Sequence, residues 1–320
     1  MKLRVRSITH EAEGILSFEL VDPAGAPLPA FEAGAHLDVR VPGTSMSRRY
    51  SLCGPTGDTR SWRIAVLRVA HSRGGSRAMH ERVRPGDLLE VSGPHNFFPL
   101  QEQAEGSLLL AGGIGVTPLL AMLQRLRALG RPVVLHYCSQ SPERTAFREL
   151  LEPLVGEGLV HFHHDNGDPR TGLDIEALLR PAPDGTHLYY CGPGGFMQAV
   201  QRASAHWPEG SVHCEYFGAE PAAPAPSAAP GDGDGDGVPV RLLRSDRTLR
   251  VRPAQTLLQA LREAGVDCAS SCEAGVCGTC QVAYRDGTPE HNDLILSEEE
   301  RASQVLVCCA RARDPFSLDI

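Results

Sequence analysis

The sequence lacks a basic surplus, a breaker-free apolar segment and an evident acid–base triad. Its 31 Lys and Arg are outnumbered by 39 Asp and Glu, a formal net charge of −8. That balance argues against a broadly basic face for nucleic acid or an anionic membrane. The opening residues Met1-Lys2-Leu3-Arg4-Val5-Arg6 break their apolar positions with charge, so no signal-peptide core is expected there. A long uncharged run, Ser107 to Leu123, nearly reaches bilayer length, but Gly112, Gly113, Gly115, Thr117 and Pro118 lie inside it. A buried strand, a glycine turn and a helix start account for it better. We therefore expect a cytoplasmic chain with no membrane association. No 2-His-1-carboxylate set stands out; His161, His163 and His164 read as structural or surface residues on a strand. No internal repeat is evident.

What is present is ordinary in bulk and unusual in detail. The 320 residues, 42% hydrophobic and 22% charged, suffice for two or three domains with cores of their own. Ten cysteines are many for such a chain, and six of them fall between Cys268 and Cys309. Without a secretory signal, that clustering points to metal before disulfides.

Three textures succeed one another. Up to about residue 102, short alternating segments such as Leu37–Val41 and Arg63–Val69 lie between turns at Pro42-Gly43 and Pro85-Gly86-Asp87, which predicts an antiparallel β-barrel. From Ser107, the continuous apolar run Leu108–Ala111 precedes a helix pattern over Pro118–Leu129. Strand patterns follow at Val133–Tyr137, Leu159–Phe162 and His187–Tyr190, with helix patterns at Pro142–Leu154 and Asp174–Leu179. Alternating strand and helix predicts a doubly wound α/β domain. Gly218 to Gly237, rich in Pro-Ala and then Gly-Asp, cannot bury enough to fold and reads as a linker. Its Asp-Gly repeat lacks the closing Glu and flanking helices of a calcium loop. After it, a hairpin (Pro239–Leu243 and Arg247–Val251), a helix (Thr256–Ala264), a cysteine loop and a capping box at Ser297 describe a small α+β domain. The expected boundaries are 1–102, 103–218, 219–237 and 238–320.

The cysteine loop carries the most specific signal. Cys272, Cys277 and Cys280 stand in C-x4-C-x2-C spacing, with Cys308 downstream, the spacing of a plant-type [2Fe–2S] site. Three thiolates from one short loop demand tight turns, which Gly275 and Gly278 permit. Zinc sites favour paired knuckles instead. Cys268 and Cys309 are read as bystanders. We expect Cys308 and Cys309 to point apart, as neighbours on a strand do.

The nucleotide signals are weaker singly. Gly112-Gly113-Ile114-Gly115-Val116-Thr117-Pro118 joins a buried strand to a helix, where a backbone can approach a pyrophosphate. Cys191-Gly192-Pro193 lies at the end of a later strand, where open α/β sheets bind ligands. In the first domain, Arg48-Arg49-Tyr50-Ser51 and Arg73-Gly74-Gly75-Ser76 offer an aromatic ring, hydroxyls, arginines and a glycine nest for a ring and a phosphate.

Together these motifs resemble the phthalate dioxygenase reductase family, which includes the reductase component of vanillate demethylase. The resemblance covers essentially the whole chain and its domain order. It implies an NADH-dependent oxidoreductase with FMN and a [2Fe–2S] cluster in a C-terminal β-grasp ferredoxin domain. It assigns Arg48, Arg49, Tyr50, Ser51, Val66, Leu67, Gly74, Gly75, Ser76 and Phe217 to FMN. Gly112, Gly113, Gly115, Thr117, Pro118, Cys191, Gly192 and Pro193 go to NAD, and Cys272, Cys277, Cys280 and Cys308 to the cluster. Tyr50, Cys191 and Phe217 would align hydride transfer, with no acid–base residue assigned. Glu215-Tyr216-Phe217 matches the motif that closes the nucleotide domain. FMN over FAD rests on the resemblance. NADH over NADPH rests on the lack of an arginine pair after Tyr137, Arg144 being the nearby candidate. The implied partner is a Rieske-type oxygenase, and the chain is expected to be a monomer. A reductase serving a haem monooxygenase or another acceptor, and an iron–sulfur module without turnover, remain as alternatives. Glu298, Glu299 and Glu300 read first as a solvated, capped turn, with a partner-facing role as the alternative.

Overall fold

The computed structural model describes residues 1–44, 47–69, 74–217, 237–253, 255–268, 275, 278, 280–293 and 296–320. Of the linker, only Gly237 is among them. The chain divides into two compact units, Met1–Phe217 and Gly218–Ile320.

The first unit opens with strands whose buried positions alternate: β1 (Lys2–Ala12), β2 (Ile15–Val21), β3 (Ala35–Arg40), β4 (Ser47–Ser51) and β5 (Trp62–Leu67). Helix α1 (Gly75–Arg82) and β6 (Leu88–Asn96) complete this segment. The strands pair in the order β4-β3-β6-β1-β2-β5, every pair antiparallel. A bridge from Leu52, just past β4, to Ile64 on β5 joins the two ends of the sheet. The alternation predicted from the sequence thus closes into a barrel that leaves few open edges.

A parallel sheet follows: β7 (Gly106–Gly112), β8 (Val133–Ser139), β9 (Val160–His164), β10 (Thr186–Cys191) and β11 (Val212–Glu215). Between them run α2 (Val116–Ala128), α3 (Arg148–Val155), α4 (Ile175–Leu179) and α5 (Gly194–Ala203). The order β11-β10-β7-β8-β9 makes β7 the starting strand, from which the chain winds first one way and then the other. One face, through Leu109 and Tyr137, shares a continuous core with α2 and with barrel residues such as Leu3, Phe18 and Trp62. The other face, through Leu110 and Tyr190, packs on Met197, Val200 and Trp207.

One helix differs from expectation. Pro142–Leu154 is not continuous: Pro142–Arg144 forms a 3-10 turn, Phe147 adopts φ +58°, and α3 starts at Arg148. Side-chain bonds compete with the helix there. Thr145 Oγ1 bonds to the Ser141 carbonyl, and the Ala146 N–H donates to Tyr137 Oη. Helices α1 and α5 start at glycine turns that the sequence presented only as ligand loops.

The second unit is a mixed sheet of β12 (Val238–Leu242), β13 (Arg247–Val251), β14 (Gln281–Arg285), β16 (Gln304–Leu306) and β18 (Phe316–Leu318). Its order is β13-β12-β18-β14-β16, with the last strand parallel to β12 and antiparallel to β14. A small pair, β15 (Pro289–Glu290) and β17 (Arg311–Ala312), stands beside it. Helix α6 (Leu257–Glu263), capped by Thr256 and Gln259, buries Leu257, Leu258, Ala260 and Leu261. Helix α7 (Glu298–Arg301) starts at the predicted Ser297–Glu300 capping box. This is the β-grasp arrangement expected of the C-terminal domain. Among the described residues no helix is long and apolar enough to cross a membrane.

Leu109 is fully buried in the core shared by barrel and sheet. Leu109→Ala is expected to cost about 2–5 kcal/mol, read as a shift in the denaturation midpoint of the first unit. A loss below 1 kcal/mol would mean that the two layers do not share that core.

Candidate functional site

The parallel pairing of β7 with β10 sets Ala111 opposite Cys191, so both strands end at the same edge. Their turns then interlock. A Cβ on Gly115 would collide with the Cys191 carbonyl, and one on Gly112 would stand 2.8 Å from Pro193 Cδ. A Cβ on Gly192 would stand 3.0 Å from Gly112 Cα. Gly113 sits at φ +53°. Glycine is required here by the close approach of backbones. Thr117, buried, donates to the Ile114 carbonyl at 3.0 Å and locks the turn. Pro118 lies in the first turn of α2, where its missing N–H costs nothing. Helix α2 has neither a side-chain cap nor an acidic residue in that turn. Its first N–H groups are therefore suited to an anion such as a pyrophosphate.

Cys191 is fully buried and paired with Glu215 on β11. Burial, reinforced by that carboxyl, pushes its thiol well above the ordinary range, so it stays protonated.

Strand β4 brings the barrel's residues to the same place. Ser51 Oγ donates to Glu215 Oε2 at 3.1 Å, tying barrel strand to sheet strand. Burial pushes the Glu215 carboxyl up to about 7, against the opposing pull of Ser51 and Arg49. Tyr50 packs against the common core, and burial raises its phenol to about 12. Arg49 lies over the Phe97 ring, 5.3 Å from its centroid. Arg48 faces the glycine turn of α1: a Cβ on Gly75 would stand 3.3 Å from Arg48 Cγ. Gly74 is left-handed at φ +98°, and Ser76 Oγ accepts the Val69 N–H at 3.1 Å. Arg73 lies outside the described residues. Val66 is buried and Leu67 half-buried, and the Val66 carbonyl bonds to His80 Nε2. Phe217, half-buried, ends the first unit. The first unit thus presents three glycine-turn helix starts, at α1, α2 and α5, and the residues grouped around Ser51 and Glu215 join barrel to sheet. Gly74 and Gly113 have no atom of the described residues within 4 Å of where a Cβ would stand, and these open, left-handed turns suit the approach of a phosphate.

The sequence singles out Glu215 only as the first residue of the closing Glu215-Tyr216-Phe217 motif, with no role of its own. Its signal was available, two positions before Phe217 at the end of a strand, but its bond to Ser51 spans 164 positions. Arg144, the candidate for a 2′-phosphate, is forked onto Glu13 at 3.0 and 3.1 Å.

In the second unit, Cys280 and Cys308 are buried in the core. Cys272 and Cys277 lie outside the described residues. Gly275 at φ +73° donates its N–H to Cys308 Sγ at 3.3 Å. Gly278, at φ +74°, accepts the Gln281 N–H. Such N–H bonds to sulfur suit a negatively charged cluster. The expected strand alternation at Cys308 and Cys309 is corrected: both lie in a turn after β16, where the N–H groups of Cys309 and Ala310 reach the Leu306 carbonyl. The turn brings Cys309 Sγ to the Leu306 carbonyl at 3.4 Å, and only Cys308 Sγ takes the Gly275 bond. Among the described residues no three metal-binding side chains converge. The histidines of β9 pair locally, His163 with His136 at 2.9 Å and His164 with Ser139 at 3.0 Å.

A flavin-type barrel, a nucleotide-type sheet and a ferredoxin-type β-grasp in one chain define a modular electron-transfer reductase. Residues 109–202 match the model of an oxidoreductase NAD-binding domain, and residues 240–313 that of a 2Fe-2S iron-sulfur cluster binding domain. The chain is 43% identical to the reductase subunit of the tert-butanol monooxygenase / tert-amyl alcohol desaturase of Aquincola tertiaricarbonis, over 98% of this chain and 94% of that one. It is 40% identical to the phthalate dioxygenase reductase of Burkholderia cepacia, over 98% and 95%. A solved structure of phthalate dioxygenase reductase, described as transferring electrons from pyridine nucleotides to [2Fe-2S], superposes with a TM-score of 0.79 at 39% identity, over 100% and 98%. The chain belongs to the phthalate dioxygenase reductase family. It is an NADH-dependent flavin and iron–sulfur oxidoreductase whose cofactors are FMN, NADH and a [2Fe–2S] cluster.

Two outcomes test this geometry. Cys308→Ser is expected to abolish the cluster's visible absorption and Cys309→Ser to keep it; the reverse would move the ligand by one residue. Glu215, raised from an ordinary 4.5 to about 7, resists ionisation in the fold. Its contribution is present below pH 4.5 and is lost as pH rises towards 7, by up to about 3 kcal/mol. Glu215→Gln should flatten stability against pH across that window; an unchanged slope would contradict the assignment.

Proposed function

We propose that residues 1–102 bind FMN, 103–218 bind NADH and 238–320 hold the cluster, with 219–237 as linker, and that electrons leave to a Rieske-type oxygenase. FMN held there would supply the chemistry that links a two-electron hydride donor to a one-electron cluster. The chain's own residues then act by placement. Gly74, Gly75 and Ser76, with Arg48, cradle the flavin phosphate. Arg49, Tyr50, Ser51, Val66, Leu67 and Phe217 line the ring. Gly112, Gly113, Gly115, Thr117 and Pro118 receive the pyrophosphate at the start of α2. Cys191, Gly192 and Pro193 border the nicotinamide, where a neutral thiol adds no charge beside the ring. Cys272, Cys277, Cys280 and Cys308 hold the iron. The Ser51–Glu215 bond carries this reading, because it ties the flavin motif to the strand beside Cys191. We place the chain in the cytoplasm as a monomer. The Glu13–Arg144 pair supports NADH over NADPH, since the arginine that could meet a 2′-phosphate is engaged.

An anaerobic titration with NADH, followed by absorbance and EPR, tests the route. About three electrons per chain should be taken up, two by flavin and one by iron. Transfer should then proceed to a Rieske oxygenase and not to a haem monooxygenase. Flavin bleaching with iron left oxidised would favour a module without turnover, and transfer only to haem would replace the partner. Arg144→Ala should leave kcat/KM for NADH within about twofold, as an exposed pair contributes little.

A further inference from the structure

The ligand turn of the second unit rests on a polar group that the proposed electron route does not use. Asp293 is buried, its side chain 1% exposed. Leu296 N–H donates to its Oδ2 at 3.0 Å, and Arg301 Nη2 donates to the same oxygen at 3.1 Å and to the Asp293 carbonyl at 2.9 Å. His291 Nδ1 stands 3.5 Å from Oδ1. Arg301 is fixed in turn. It ends α7, whose start the Ser297–Glu300 capping box sets, and its carbonyl accepts the Tyr284 hydroxyl at 2.6 Å. Tyr284 belongs to β14, the sheet's own strand.

Asp293 stands against the cluster loop by backbone, not by charge alone. A Cβ on Gly275 would lie 2.9 Å from Asp293 Cα, 3.3 Å from the Asn292 carbonyl oxygen and 2.7 Å from Cys309 Sγ. Gly275 therefore packs against both segments on the side a Cβ would occupy, while its N–H points at Cys308 Sγ. A shift of a few tenths of an ångström at Asp293 would move that donor. A carboxylate is costly to bury unless paired and bonded; here Oδ2 takes both the Leu296 N–H and the Arg301 guanidinium, while the buried Oδ1 accepts no hydrogen bond among the described residues.

We propose that Asp293 and Arg301 are positioning residues for the iron–sulfur cluster: their ion pair braces Gly275 so that its N–H stays bonded to Cys308 Sγ. The inference rests on the proposed ligand set. An N–H bond to a ligand sulfur favours the reduced, more negative cluster, so the brace holds the midpoint up.

The test uses the full-length, cluster-loaded chain and the variants Asp293→Asn and Arg301→Lys. The first removes the charge in the same shape; the second keeps the charge and removes the guanidinium Nη2 that reaches both Asp293 Oδ2 and the Asp293 carbonyl oxygen. Each loaded variant should show a reduction equilibrium about three- to tenfold less favourable than the parent, the scale of one weakened hydrogen bond. The EPR signal of the reduced cluster should shift, and loss of iron to a chelator should quicken. NADH-driven flavin reduction, whose residues lie in the first unit, should be unchanged. Midpoint and EPR signal equal to the parent's in either loaded variant would overturn the proposal, even if that variant melts earlier. If Asp293→Asn retains no iron, Arg301→Lys alone decides by the same readouts. Failure of the ligand reading looks different, because there the parent itself would not assemble a [2Fe–2S] cluster.

Discussion

Two backbones touch where β7 and β10 end, and the first unit depends on that contact. Parallel pairing fixes the register of Ala111 and Cys191. The register aims two turns at each other, and only glycine at 112, 115 and 192 lets them close. The same edge carries the uncapped start of α2 and, one strand over, the Glu215 that bonds Ser51 of the barrel. The glycine turns, the start of α2 and the Ser51–Glu215 bond thus lie along one edge of the sheet. For an enzyme that moves hydride and electrons, placement is the catalytic contribution that a protein can make.

The second unit answers a different demand. Its ligand turn must hold several thiolates around one centre and keep N–H groups aimed at them. Gly275 supplies the conformation, Cys308 receives the bond, and the sheet behind supplies rigidity through Tyr284, Arg301 and Asp293. Pairing in the order β13-β12-β18-β14-β16 brings residues 33 positions apart into contact. In the proposed ligand set the cysteine spacing supplies the ligands, and of these Cys280 and Cys308 are buried in the β-grasp core.

Much of this was legible in the sequence because it is local. Alternating residues announced the barrel strands, the Leu108–Ala111 run announced a buried strand, and Ser297-x-x-Glu300 announced a cap. The glycine turns and cysteine spacing were readable because tight turns admit few residues. Three features were not readable. Pro142–Leu154 carries a helical pattern, but Thr145 and Tyr137 draw the backbone into other bonds. Cys308-Cys309 looks like a strand pair, and the Leu306 carbonyl instead gathers both following N–H groups into a turn. Glu215 reads only as the start of the motif that closes its domain, and Asp293 looks like an ordinary acid. Their roles come from Ser51, 164 positions away, and from Gly275 beyond a sheet strand, which no local pattern encodes.

The central claim is that electrons pass in order through one polypeptide. Anaerobic stopped-flow mixing of the loaded chain with excess NADH tests it most directly, recording flavin and cluster bleaching together over a dilution series. The account predicts flavin bleaching first and cluster bleaching second, with a second-phase rate independent of protein concentration. Cluster reduction that precedes the flavin, or that slows in proportion to dilution, would contradict it.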